Sequence, residues 1–228
     1  VTPPPVIDPG ANDPSASVIQ RVVDVLDDMG IEYVFTGALA LAYWVAPRGT
    51  KDIDIVVMLP ETEETRRELL RRLEAAGFPA PPGALEDLKH APNYSTGLRA
   101  VLPTGAVFVV ELLVPKPGQE KLTSRIAKRA KLMPFIGVKK AIPIVSPEDL
   151  VVYKLFLFRK GERPLETDDV KDMNNILAVR KDLDAGYVRL SLLHLGLPQE
   201  ALAERSKWLE AALVRHGFNK KSPKRPRS

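Results

Sequence analysis

Apolar positions in this chain switch between two rhythms. In SASVIQRVVDVLDDMG, Val18, Val22, Val25, Leu26 and Met29 recur at helical spacing. The spacing predicts a helix over 15–29, with a serine as N-cap and Gly30 as its stop. IEYVF then reads as a short strand ending at Thr36-Gly37, and ALALAYWVA as a helix closed by Pro47. KDIDIVVML is β-branched and predicts a strand that ends at Pro60. ETEETRRELLRRLEAAG predicts a solvent-facing helix with acids first and bases later, which suits the helix dipole, and Leu69, Leu70, Leu73 and Ala76 form its inner face.

Residues 79–93 read as a Pro/Gly-rich loop, and GLRAVLPTGAVFVVELLVP as two strands around a PTG turn. A basic helix is expected near 120–132, then a short strand, AIPIV. SPEDLVVYKLFLFRKG opens with Ser146 as N-cap and Pro147 at the first helical position. ETDDVKDMNNILAV, residues 184–195 and residues 198–216 predict three further helices. Strands and helices mix early and helices dominate from 147 onward. The expectation is an α/β fold, a mixed β-sheet core flanked by helices, with a helical C-terminal part. The predicted organisation is a flexible lead-in over 1–14, an α/β core over 15–145, a helical region over 146–218 and a disordered basic tail over 219–228.

Composition narrows the setting. Hydrophobic content of 45% and charged content of 27% are ordinary for a globular protein. The chain has no cysteine, which removes disulfides and thiolate metal sites and fits a reducing cytoplasm. No apolar run approaches the roughly 20 residues of a membrane span, and VTPPPVIDPGANDPSAS lacks the basic and apolar regions of a signal peptide. The formal charge is +4. Much of the excess is local, in NKKSPKRPRS and in EKLTSRIAKRAKLM, and a basic surface suits a phosphate-bearing partner.

Two acids break the pattern. Asp52 and Asp54 stand inside an otherwise apolar strand, and alternation projects them to one face while Ile53, Ile55 and Val57 point to the other. Adjacent carboxylates repel each other and resist desolvation. A shared hard cation removes both problems and leaves positions open for substrate phosphates. In VFVVELLV, Glu111 is the lone charge. If that strand lies beside 52–58, Glu111 completes a three-carboxylate site; otherwise it is an edge-strand charge that blocks aggregation. Upstream, Thr36-Gly37-Ala38 joins a strand to a helix start, where backbone N–H groups attract phosphate and glycine permits close approach. Arg48 is a candidate partner of a phosphate or of Asp52, and Thr50 a candidate for orienting the strand. His90, His194 and His216 show no metal-ligand spacing.

Gly37-Ala38, followed by Arg48, Thr50, Asp52, Ile53, Asp54 and Ile55, resembles the signature of the DNA polymerase β-like nucleotidyltransferase superfamily. The pattern is nearest to small bacterial nucleotidyltransferases of the abortive-infection (AbiEii-like) toxin type. The resemblance covers about residues 31–58, with looser support at 107–113 and 146–172. It implies a nucleotidyltransferase-like fold and magnesium or manganese held by Asp52, Asp54 and Glu111. It also implies a nucleoside triphosphate bound at Thr36, Gly37, Ala38, Arg48, Thr50 and Lys154. The acidic TDDVKD resembles the helix that carries a proposed base, for which Asp169 is the first candidate. The implied activity is transfer of an NMP unit to an acceptor hydroxyl, with RNA or a tRNA end as one acceptor and a role as the toxin of a toxin–antitoxin pair, beside a cognate partner. The family usually has Gly or Ser where this chain has Ala38. That substitution keeps open a second reading, a non-catalytic nucleotide- or RNA-binding module, or an antitoxin, on the same fold.

Overall fold

The computed structural model describes residues 14–46, 50–59, 62–89, 95–115, 120–157 and 168–218. The lead-in before residue 14, Arg48 and the basic tail from 219 lie outside the described residues. The chain divides into two compact units, Val1–Val145 and Ser146–Ser228.

The first unit is built on a sheet of six strands among the described residues: β1 (Glu32–Phe35), β2 (Asp52–Met58), β3 (Ser95–Val101), β4 (Val107–Leu113), β5 (Lys131–Met133) and β6 (Ile142–Ile144). Their order is β3-β4-β2-β1-β6-β5. β2 runs parallel to β4 and β1 parallel to β6, while β1–β2, β3–β4 and β5–β6 are antiparallel. The sheet is therefore mixed, and with its helices α1 (Pro14–Asp28), α2 (Gly37–Trp44), α3 (Glu63–Ala75), α4 (Ala84–Asp87) and α5 (Glu120–Arg129) the unit is α/β.

Alternation decides what each strand buries. Ile53, Ile55 and Val57 on β2, Val110 and Leu112 on β4, Leu98 and Ala100 on β3 and Phe35 on β1 are all essentially without solvent exposure. At about 25 cal/mol per Å² of apolar area, each of these side chains larger than alanine contributes roughly 1.5–3 kcal/mol, so this face anchors the sheet. Trp44 at the end of α2 is buried too, and its indole N–H donates to the Val145 carbonyl at 2.7 Å.

Three local expectations differ from the structure. α1 begins at Pro14, so the serines fall inside the helix, and Ser17 Oγ donates back to the Pro14 carbonyl at 3.0 Å. Its buried stripe is Val18, Ile19, Val22, Val23 and Leu26, with Val25 and Met29 only half-buried, because the contact face is centred one position away from the predicted one. The 79–93 loop contains a helical turn, α4, behind Gly83 (φ 85°), held by fully buried Phe78 and Leu88. The basic helix stops at Arg129, and Lys131–Met133 pairs with β6 instead. A partner strand overrides local helix propensity there. Gly30 does close α1: at φ 63° it lets the Ile31 N–H reach the Leu26 carbonyl at 2.9 Å.

The second unit is helical: α6 (Pro147–Leu157), α7 (Asp168–Val179), α8 (Ala185–Leu193) and α9 (Gln199–Arg215). Ser146 caps α6, its hydroxyl accepting from the Asp149 N–H at 3.1 Å and donating to the Asp149 carboxylate at 2.6 Å. Asp184 caps α8 by accepting from the Tyr187 N–H at 2.9 Å. Arg205, buried in α9, donates Nε–H to the Leu155 carbonyl of α6 at 2.7 Å. Among the described residues no helix is long and apolar enough to cross a membrane.

Candidate active site

β2 and β4 set the site. Their parallel register pairs Asp52 with Val109 and Asp54 with Glu111. Paired positions on adjacent strands share a face and sit about 4.8 Å apart, so Asp52, Asp54 and Glu111 stand on one side of the sheet. The same side is closed farther along β2, where Val56 pairs with buried Val34. At the acidic end it is open: Asp52 is exposed, and Asp54 and Glu111 are half-buried. The carboxylates of Asp52 and Glu111 make no hydrogen bond or ion pair to any described residue.

The turn after β1 is fitted to this pair of strands. The Thr36 N–H donates to the Asp54 carbonyl at 2.9 Å, tying the turn to β2. Gly37 follows at φ 59°. A Cβ at that position would lie 1.8 Å from Asp54 Oδ2 and 2.6 Å from its Cγ. Glycine is therefore required twice, for its left-handed backbone and for the carboxylate pressed against it. α2 starts at Gly37, with Ala38 in its first turn and the Ala40 N–H on the Thr36 carbonyl at 3.3 Å. Thr36 is 2% exposed, and its hydroxyl has no hydrogen-bond partner. A buried hydroxyl left unpaired costs about 1–3 kcal/mol. Thr50 closes the other end: its hydroxyl accepts from the Asp52 N–H at 3.1 Å and holds the strand entrance.

All donors at this end are hard carboxylate oxygens, the chemistry that suits magnesium or manganese and excludes soft thiophilic metals. Among the described residues no group of three or more His, Cys, Asp or Glu side chains is already gathered as a metal cage. Asp54 and Glu111 are adjacent across the strands, and Asp52 stands one strand repeat away, about 7 Å along β2.

Lys154, Asp169 and Asp172 belong to the helical unit. Lys154 Nζ lies 2.9 Å from Asp169 Oδ1 and 2.9 Å from Asp172 Oδ2, with only 8% of the lysine side chain exposed. The structure thus joins Lys154 to Asp169 in a buried ion triad. Asp168 instead faces solvent and pairs with Lys171 at 3.2 Å. A further buried acid, Asp149, drew no attention in sequence because Asp in a helix's first turn is commonplace. It is fully buried, taking hydrogen bonds from the Ser146 and Tyr187 hydroxyls.

No protein-family model matches the chain, and no curated protein matches its sequence. Solved structures do. The chain is similar to an antigenic nucleotidyltransferase-like protein from Paracoccidioides brasiliensis at 18% identity, over 86% of this chain and 92% of that one, with a TM-score of 0.49. It is similar to the antibiotic-resistance factor ANT(2'')-Ia bound to adenylyl-2''-tobramycin at 14% identity, over 86% of this chain and 99% of that one, with a TM-score of 0.47. It is similar to a CCA-adding enzyme at 11% identity, over 94% of this chain and 55% of that one, with a TM-score of 0.34.

Proposed function

We propose that the chain is a metal-dependent nucleotidyltransferase that moves an NMP unit from a nucleoside triphosphate to an acceptor hydroxyl. The observation that carries this reading is the juxtaposition of Asp54, Glu111 and Gly37. Two carboxylates sit in register on an open sheet face, and the backbone of a strand–helix turn is pressed against one of them. A glycine so placed exposes backbone amides of the α2 start beside the acids, where triphosphate oxygens and a cation belong together.

Asp52, Asp54 and Glu111 would hold magnesium or manganese, whose chemistry is neutralisation of phosphate charge and activation of the attacking oxygen. The chain's own part is positioning. The Gly37 and Ala38 amides bind phosphate, and Thr50 keeps the β2 entrance in place. The acceptor oxygen bonds to the α-phosphorus, the bond to the pyrophosphate oxygen breaks, and the hydroxyl proton passes to a carboxylate. Resemblance alone assigns Asp169 that proton and Lys154 and Arg48 a phosphate contact. RNA, including a tRNA end, is the proposed acceptor, on the strength of the basic segments at 120–140 and 220–227. The role of toxin beside a cognate antitoxin belongs to the same proposal and has the same support, the resemblance.

The test is magnesium-dependent incorporation of labelled NTP into RNA, protein and small hydroxylated compounds. The parent should label RNA, and Asp52→Ala with Asp54→Ala should abolish it. Equal labelling by the double variant would refute the assignment. Ala38 favours one second reading, a module that binds nucleotide or RNA without chemistry. Calorimetric binding of magnesium and NTP with no product over long incubation would select it.

A further inference from the structure

Arg99 has no place in the chemistry above, yet it stands on the same face. β3 pairs with β4 so that Gly97 lies opposite Glu111 and Arg99 opposite Val109, and Val109 in turn lies opposite Asp52. Arg99 is thus two strands, about 10 Å, from Asp52. It is exposed, and its guanidinium makes no hydrogen bond or ion pair to any described residue. Beside it Val101 is 67% exposed, and Val107, paired with Val101, is 36% exposed. Gly97 carries no side chain, and Val109 leans over it, its Cγ1 3.4 Å from where a Cβ would stand. The face therefore grades from carboxylates on β2 and β4, across Val109, to a cation on apolar ground at β3.

An arginine this close to two unpaired carboxylates that pairs with neither is available to a ligand. Its fork of donors fits phosphate, and the valines beside it fit a sugar or base. An anionic strand would be drawn to this cation and kept at a distance from the acids of β2 and β4. We propose that the β3–β4 shelf is the acceptor site and that Arg99 holds a phosphodiester of single-stranded RNA next to the transfer site. This deepens the nucleotidyltransferase reading and rests on it for the word acceptor.

The experiment is fluorescence anisotropy of a labelled single-stranded RNA oligonucleotide against salt, for the parent and for Arg99→Ala, Arg99→Glu and Arg99→Lys. A thermal melt of each confirms folding, which an exposed strand residue does not govern. Arg99→Ala should weaken binding by roughly tenfold and flatten the log–log salt slope by about 0.7, one phosphate contact on a single strand. Arg99→Glu should do more, and Arg99→Lys should recover the slope. In the transfer assay the loss should fall on the KM for RNA rather than on kcat. Calorimetry should show NTP affinity retained.

Unchanged RNA affinity and slope in Arg99→Glu overturns the proposal. So does a loss that falls on NTP affinity rather than on RNA affinity. The two claims fail separately. Labelled RNA with an Arg99-independent KM sinks this inference alone. Arg99-dependent RNA binding with no labelling by the parent sinks the transferase reading alone.

Discussion

Two groups of charges in this protein are arranged in opposite ways. In the helical unit every acid singled out is matched: Lys154 lies between Asp169 and Asp172, and Asp149 between two hydroxyls. On the β2–β4 face, Asp52 and Glu111 have no partner among the described residues and water reaches them. Buried charges persist only when compensated. The first group is therefore compensated within the helical unit, and the second is left available to something that is not protein. The same residue types are paired in one place and unpaired in the other.

Substitutions can break that contrast, and the largest effect belongs to Lys154. Lys154→Met removes the charge between two buried acids and should destabilise the protein by about 3–5 kcal/mol, read as a loss in urea midpoint. A change below about 1 kcal/mol would mean the triad is not what secures α6 to α7. Gly37→Ala comes next. It forces a left-handed φ on alanine and drives its Cβ into Asp54. We expect about 1–3 kcal/mol from the backbone alone, with NMP transfer lost as well. Tyr187→Phe should cost about 1.5–3 kcal/mol, the range for a hydrogen bond to a charged group. That places it near or below the glycine variant and tests whether Asp149 is a structural acid. The smallest stability effect should come from Asp52→Ala with Glu111→Ala, a variant that should also lose transfer. Neither carboxylate has a partner among the described residues, so the melting temperature should be unchanged or raised. A fall comparable to that of Lys154→Met would erase the distinction between the two groups.

How legible this was in the sequence depends on the distance over which each feature is decided. The face shared by Asp52 and Asp54 follows from strand alternation within a few residues. Leu69, Leu70 and Leu73 follow likewise from helical spacing, and all three are buried. Glu111 was conspicuous as a charge in an apolar run, but whether it meets Asp54 depends on which strand neighbours β2 and in what register. The ion pair of Lys154 with Asp169 was hidden for a similar reason: spacing put both on helices and said nothing of their meeting. β5 went the other way, since its residues read as helix until β6 offered them a ladder.

The amino-acid order alone determined the local matters: where helices and strands run, which residues alternate to which face, and that a glycine turn precedes an acidic strand. Only the tertiary structure decided that β4 lies beside β2 with Glu111 opposite Asp54, that Asp54 closes on Gly37, and that Arg99 shares their face unpaired. Periodicity is a property of one segment, fixed by backbone geometry. Register between distant segments is a property of the packed whole, fixed by the joint burial of every strand at once.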